Sequence, residues 1–234
     1  LDQFDMLGFT LQYEMSYTNI LNMLDMSGIT IRASERGEDE PIIMAGGPCA
    51  YNPEPLYDIV DFFEIGEGEE MMDDVLEVYA KHKANGKVNK KEFLREISHI
   101  GGIYVPSLYD VSYNEDGTIR EFTPKYEDVP AKVKKRIVNN FDKVSFPDEM
   151  IVPYTDIVHD RVVLETARGC TNGCRFCQAG MIYRPVREKT TNTLIEQARK
   201  ALKATGYDEV SLASLSICDY SNIQNLISSL VLEH

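Results

Sequence analysis

The sequence has no apolar run long enough to cross a bilayer, and its first residues lack the charged, apolar and small-residue regions of a secretory signal. A helical membrane protein and a secreted one are therefore not expected. Cysteine is scarce. There are 5 in 234 residues, an odd number with three of them clustered, which is not a disulfide framework. A reducing, cytoplasmic setting fits that usage. Basic residues are nearly missing from the start, where residues 1–80 hold 2 of them against 18 acidic ones. The net charge of −14 excludes a general nucleic-acid surface, which needs cations to meet phosphates. The first residue is Leu1 rather than methionine, and Leu232, Glu233 and His234 read as the remnant of an expression tag. On that basis the chain is expected to be a fragment of a longer protein.

What is present centres on the stretch from Arg168 to Gly180. It sets Cys170, Cys174 and Cys177 in a C-x3-C-x2-C pattern, with the aromatic Phe176 just before the last cysteine. An all-protein [4Fe–4S] site uses four thiolates. Three on one loop can hold three irons, and the fourth iron must then take another ligand. A structural zinc site is the competing reading. It needs four ligands, the fourth coming from Cys49, Cys218 or His159. A chance grouping of buried cysteines is the third. Residues 161–205 hold 9 basic and 3 acidic residues, a locally positive stretch that suits an anionic cluster and a carboxylate. Arg184 and Arg187 are the cations expected to serve it.

The loop resembles the signature of the radical S-adenosylmethionine (SAM) enzymes. The resemblance implies that the open iron chelates the amino and carboxylate groups of SAM and that Phe176 helps to place the adenine. It also implies an electron donor of reductase or flavodoxin type. In the family a Gly-Gly-Glu-like turn after the second barrel strand contacts the SAM amino group. This chain has Ser214 and Ser216 there, with Asp219 as the nearest carboxylate. The substrate is not readable.

The surrounding pattern is α/β. Val162 to Leu164 with Thr166 reads as a short strand buried on both faces. Thr191 to Thr205 reads as a helix with Thr193 and Glu196 as its capping box and Gly206 as its stop. Glu209 to Ala213 is a second strand, and Ile223, Leu226, Ile227 and Leu230 mark a second helix. Strand, loop, helix, strand, helix is how a parallel β/α barrel begins, with ligands at the carboxyl ends of the strands. Here only the first such units of a truncated partial barrel are expected. The open sheet edge invites a dimer or leaves the cysteine loop disordered.

Residues 1–86 also alternate strand and helix, as a doubly wound parallel sheet does. Strands are expected over 4–11, 41–45 and 61–65. Helices are expected over 17–26 and from the stretch Gly66 to Glu70, which opens the second, to near Asn85 and Gly86, with Met71, Met72, Val75, Leu76 and Tyr79 inward. Two glycine turns follow strands, at Gly46, Gly47 and Pro48 and at Gly66, Glu67 and Gly68. Glycine lets a backbone turn sharply or approach a ligand closely. A tight turn with no ligand is the plain alternative. The arrangement of residues 46–55 and 63–69 resembles the cobalamin-binding domain that precedes many radical SAM barrels, in an uncharacterised bacterial branch. That resemblance makes Gly46, Gly47, Gly66, Glu67 and Gly68 candidate cobalamin contacts and cobalamin a candidate second cofactor. The chain has no Asp-x-His-x-x-Gly motif, which supplies a histidine to cobalt in some such domains.

Residues 87–150 break the pattern and read as a linker subdomain. It has a short helix capped by Asn89, and a β-hairpin of residues 104–113 and 119–123 around residues 114–117. Lys132 to Asn140 is expected to add a strand. The expected plan is thus a partial Rossmann-like domain over 1–86, a linker over 87–150, the start of a barrel over 151–231, and a tag remnant over 232–234.

Overall fold

The computed structural model describes every residue except Asn85, Asp148, Asp156 and His234, and the side chains of Leu232 and Glu233 are not described. The expected tag remnant at 232–234 therefore lies largely outside the described residues. The chain forms two compact units, residues 1–137 and 138–234.

The first unit is built on a four-stranded sheet in the order β1 (Met6–Thr10), β2 (Ile42–Gly46), β3 (Phe62–Glu64) and β4 (Ile103–Tyr104). The first three strands are parallel, with Leu7 opposite Ile43 and Met44 opposite Phe62; β4 is antiparallel, with Tyr104 opposite Phe63. Sheet order follows chain order, so the described strands lack the order reversal that marks the switch point of a doubly wound sheet. Four successive residues of β2, Ile42 to Ala45, are buried, as in a strand covered on both faces.

Helix α1 (Tyr17–Met26) buries Ile20 and Leu24 and stops at Gly28, whose φ of 68° ends it without strain. Helix α2 (Gly68–Ala84) buries Met71 and Val75 at i, i+4 spacing. Leu76, expected inward, is 45% exposed, because α2 turns only a narrow stripe to the core. Helix α3 (Lys90–Ile97) starts where Asn89 Oδ1 accepts from the backbone N–H groups of Lys91 at 3.0 Å and Glu92 at 3.2 Å. Its Phe93 sets its ring edge-on to Phe62 and Tyr79.

The polar loop before β2 is held by a buried ion pair. The Arg36 guanidinium donates to Asp61 at 2.6 Å and to the carbonyls of Thr30, Ile31 and Ile59. Asp61 also accepts from Ile43 N at 2.7 Å. A hairpin follows β4, formed by β5 (Tyr109–Tyr113) and β6 (Ile119–Pro124). Tyr104, expected in that hairpin, pairs with β3 instead. The strand expected over 132–140 is only a single bridge between Arg136 and Gly66. Residues 87–137, read from the sequence as part of a linker, lie within the first unit.

The second unit has a parallel pair, β7 (Val162–Glu165) and β10 (Val210–Ala213), with Val162 opposite Val210 and Glu165 opposite Ala213. Helix α5 (Thr191–Thr205) connects them and buries Leu194, Ala198 and Ala201 in one cluster with Val162 and Leu164. Helix α6 (Ile223–Glu233) adds Leu226. Strand β7 is covered on one face, not two, since Val163 is 45% exposed.

The expected capping box of α5 is displaced by one turn. Thr190 is the N-cap and accepts from Thr193 N, while Asp142 accepts from Thr190 N at 2.6 Å and from both threonine hydroxyls. Gly206 ends the helix at φ 77°. Between β7 and α5 lie three pieces absent from the sequence reading: β8 (Ala167–Arg168), the short helix α4 (Ala179–Ile182) and β9 (Arg187–Glu188).

Candidate metal and cofactor site

Residues 169–186 form a loop whose base is zipped. Strands β8 and β9 pair antiparallel, with Ala167 opposite Glu188 and Arg168 opposite Arg187. The zip continues the parallel sheet, since Thr166 N donates to Ala213 O at 2.9 Å and Lys189 N to Thr166 O at 2.9 Å. The loop thus rises at the carboxyl end of β7. Gly169 makes the pinch possible. Its φ is 89°, and a Cβ there would lie 2.7 Å from Pro185 O and 2.8 Å from Tyr183 O. Arg168 grips Glu165 with two bonds, at 2.8 and 2.9 Å, and lies over the Phe141 ring.

All three loop cysteines are free thiols; Cys170 is half-buried, and Cys174 and Cys177 are exposed. The backbone between them is irregular, with one bond from Cys177 N to Cys174 O at 3.0 Å and Gly173 at φ 65°. Among the described residues no three His, Cys, Asp or Glu side chains converge closely enough to hold a metal ion. The donor chemistry fits an iron–sulfur cluster all the same. From Cys170 to Cys177 the segment offers three thiols with no carboxylate or imidazole between them.

Phe176 is 93% exposed on this loop. The Ser214 hydroxyl is buried without a hydrogen-bond partner among the described residues. Ser216 is tied to the loop itself. Asn172 Nδ2 donates to Ser216 Oγ at 3.2 Å and to Asp219 Oδ2 at 2.9 Å, and Ser216 Oγ donates to Asp219 Oδ2 at 2.7 Å. These two bonds hold the Asp219 carboxyl below its ordinary value. The Asp219 carboxylate is engaged by Ser216 and Asn172, while Glu188 accepts from the N–H and hydroxyl of Ser221, two residues ahead of α6. Arg187, expected to serve an anion, lies over the Phe141 ring and donates to Pro185 O, while Arg184 is exposed. His159 is exposed as well. The sequence reading missed Asn172, and no local signal marks it, because its acceptors lie 44 and 47 residues away.

The glycine turns of the first unit are filled by the chain itself. Gly47 has φ 98°, and a Cβ there would sit 3.1 Å from Leu11 O. Leu11 N donates to Gly46 O and Cys49 N to Leu11 O. At Gly66, with φ 123°, a Cβ would lie 2.2 Å from Arg136 O, and Glu67 N donates to that same oxygen at 3.0 Å. Between the two turns stands Glu64, another residue the sequence reading passed over. It is 7% exposed, and its Oε1 has no partner among the described residues. A Cβ on Gly68 would meet its Oε2 at 3.3 Å, and one on Gly46 at 3.8 Å. Burial raises this carboxyl from 4.5 to about 7.

Residues 1–106 match the family model for the N-terminal region of radical SAM proteins. Over 98% of its length the chain is also 27% identical to the uncharacterized protein MJ0966 of Methanocaldococcus jannaschii, covering 42% of that protein. The chain thus spans about two fifths of the relatives it matches. Among solved structures it shares the fold of the radical SAM methyltransferase TsrM from Kitasatospora setae with tryptophan substrate and a SAM analog bound. The TM-score is 0.50 at 12% identity, over 98% of this chain and 40% of that one. A second TsrM structure, with cobalamin and a [4Fe–4S] cluster bound, gives 0.45 at 13% identity, over 98% and 41%. Among the described residues no helix is long and apolar enough to cross a membrane.

Proposed function

We propose that this chain carries the SAM-cleaving centre of a radical SAM enzyme, with Cys170, Cys174 and Cys177 as the ligands of three irons of a [4Fe–4S] cluster. The observation that carries the reading is the pinched loop at the carboxyl end of β7, with three free thiols at C-x3-C-x2-C spacing. The radical SAM match over residues 1–106 supports it from the other unit. Held by Cys170, Cys174 and Cys177, a reduced cluster would supply the single electron needed for reductive cleavage of SAM, the chemistry that would serve an unidentified substrate.

The chain's own residues bind and orient. Three thiolates, from Cys170, Cys174 and Cys177, would hold the cluster and leave a coordination position for SAM. Phe176, exposed beside Cys177, offers its ring to the adenine. Ser214, Ser216 and Asp219 line the turn that faces the loop, where a hydroxyl or carboxylate accepts from an ammonium. The electron comes from a reductase or flavodoxin-type protein in this account. Self-association through the open edges of the β7–β10 pair belongs to the same proposal.

Cobalamin fits less well. Gly47, Gly66 and Glu67 already meet the backbones of Leu11 and Arg136. Gly46, Gly68 and the Glu64 carboxyl between them are what is left to meet a ligand, and no step is assigned to cobalamin here.

A second reading, an electron carrier with four cysteine ligands, is favoured by one observation. Cys218 sits on the turn of Ile217–Asp219 that Asn172 ties to the loop. Anaerobic reconstitution separates the two. Wild-type protein and Cys218→Ala are expected to hold about four irons per chain, and alanine at Cys170, Cys174 or Cys177 to lose them. Loss of the cluster in Cys218→Ala supports the carrier, and zinc in place of iron refutes both.

A further inference from the structure

We propose that Asn172 is a positioning residue: its amide clips the cysteine loop to the turn after β10, fixing how Cys170 and Cys174 present their thiols and keeping Asp219 turned toward the loop. The inference rests on the cluster reading of that loop.

The base of the loop is held by backbone pairing. Strands β8 and β9 are two residues each, and Gly169 draws the two arms together beside them. Farther out, between Cys170 and Cys177, the backbone bond is local, from Cys177 to Cys174. Asn172 supplies a long-range tether there. It stands between the first two cysteines, and its acceptors are on a turn that follows the other strand of the parallel pair.

The chemistry of the clip is directional. Asp219 Oδ2 receives two donors, the Ser216 hydroxyl at 2.7 Å and the Asn172 amide at 2.9 Å. A carboxylate accepts only, so residue 172 must present N–H groups to it. Asparagine does so, while aspartate would set two carboxylates face to face. The same bonds place Ser216 and Asp219 beside the cysteine loop. A ligand there would thus find a carboxylate already oriented, at no ordering cost when it binds.

The position also predicts how the clip fails. Asn172→Ala removes both amide bonds, to Ser216 and to the Asp219 carboxylate, and at this exposed site loosens the loop by about fivefold in the population of its open form. Asn172→Asp does more, through repulsion. Exchanging the pair, Asn172→Asp together with Asp219→Asn, restores a donor facing a carboxylate with the direction reversed. A residue needed only for its size would not be rescued by that exchange.

The test has two readouts. In the protein without iron, trypsin cleaves after the exposed Arg175, within the loop, at a rate set by how often the loop opens. Asn172→Ala is expected to speed that cleavage about fivefold, Asn172→Asp further, and the exchanged pair to return it toward wild type. In the reconstituted protein, Asn172→Ala is expected to raise by a similar factor the SAM concentration at half-change of the EPR signal of the reduced cluster. Unchanged cleavage and SAM response in Asn172→Ala, in a protein whose wild type holds the cluster, overturn the clip alone. No rescue in the exchanged pair overturns it too. Wild-type protein that takes up no iron overturns the cluster reading and the inference with it.

Discussion

Replacing Glu64 by glutamine is expected to make the chain more stable at pH 8 and to flatten its stability between pH 5 and 8. The carboxyl is buried between two glycine turns, and one oxygen lacks a partner among the described residues. Burial alone raises it from 4.5 to about 7. Between those values the unfolded chain has released a proton that the folded chain keeps. The residue's contribution is therefore full below pH 4.5 and is lost as pH rises through 7. At 1.36 kcal/mol per unit the loss comes to about 3 kcal/mol. Glutamine keeps the shape and has no charge to desolvate. The assay is urea unfolding followed by far-UV circular dichroism at pH 5, 6, 7 and 8, for both proteins. Asp61 is also raised by burial, but it is present in both, so the difference between the two curves isolates Glu64. The difference is expected to grow with pH to about 3 kcal/mol. A difference that stays flat, or glutamine less stable at pH 8, refutes the reasoning.

Gly66→Ala is expected to cost at least about 3 kcal/mol, since its Cβ would lie 2.2 Å from Arg136 O at φ 123°. Gly86→Ala has a similar φ of 121° but nothing within 4 Å, so it should cost only about 1 kcal/mol; equal urea midpoints for the two would contradict the role of Arg136. Arg36→Ala leaves Asp61 buried without its guanidinium and is expected to lose about 3–5 kcal/mol, read as the melting of the first unit. Arg32→Ala, which breaks an exposed pair with Asp58, should lose under about 1 kcal/mol, and the same loss for both would show that burial is not what matters.

How far the sequence could be read follows from the range of each signal. Helices α1 and α5 were legible because periodicity and a stop glycine are local, and both Gly28 and Gly206 take the left-handed conformation the reading required. The parallel pairing of β7 and β10 followed from the strand–helix–strand order. The cap of α5 was misplaced because Thr190, Thr191 and Thr193 offer three hydroxyls, and Asp142, far away in sequence, selects Thr190. Strands β8 and β9 are too short to show a period. Tyr104 alternates like a hairpin residue, and only the sheet reveals Phe63 as its neighbour. At the candidate site the cysteine spacing was fully legible. The clip from Asn172 to Asp219 was not, because nothing in residues 168–180 announces a partner beyond β10. The glycine turns have a further reason for glycine that the sequence could not show. Their pattern suggested a ligand, yet Leu11 and Arg136 account for the close approach at Gly47 and Gly66.

The most direct test of the account is EPR of the anaerobically reconstituted and reduced protein, recorded with and without SAM. The account predicts a [4Fe–4S] signal, lost when Cys170, Cys174 or Cys177 is replaced, whose shape changes when SAM is added, because one iron is open to it. A full cluster whose signal is indifferent to SAM would contradict the central claim.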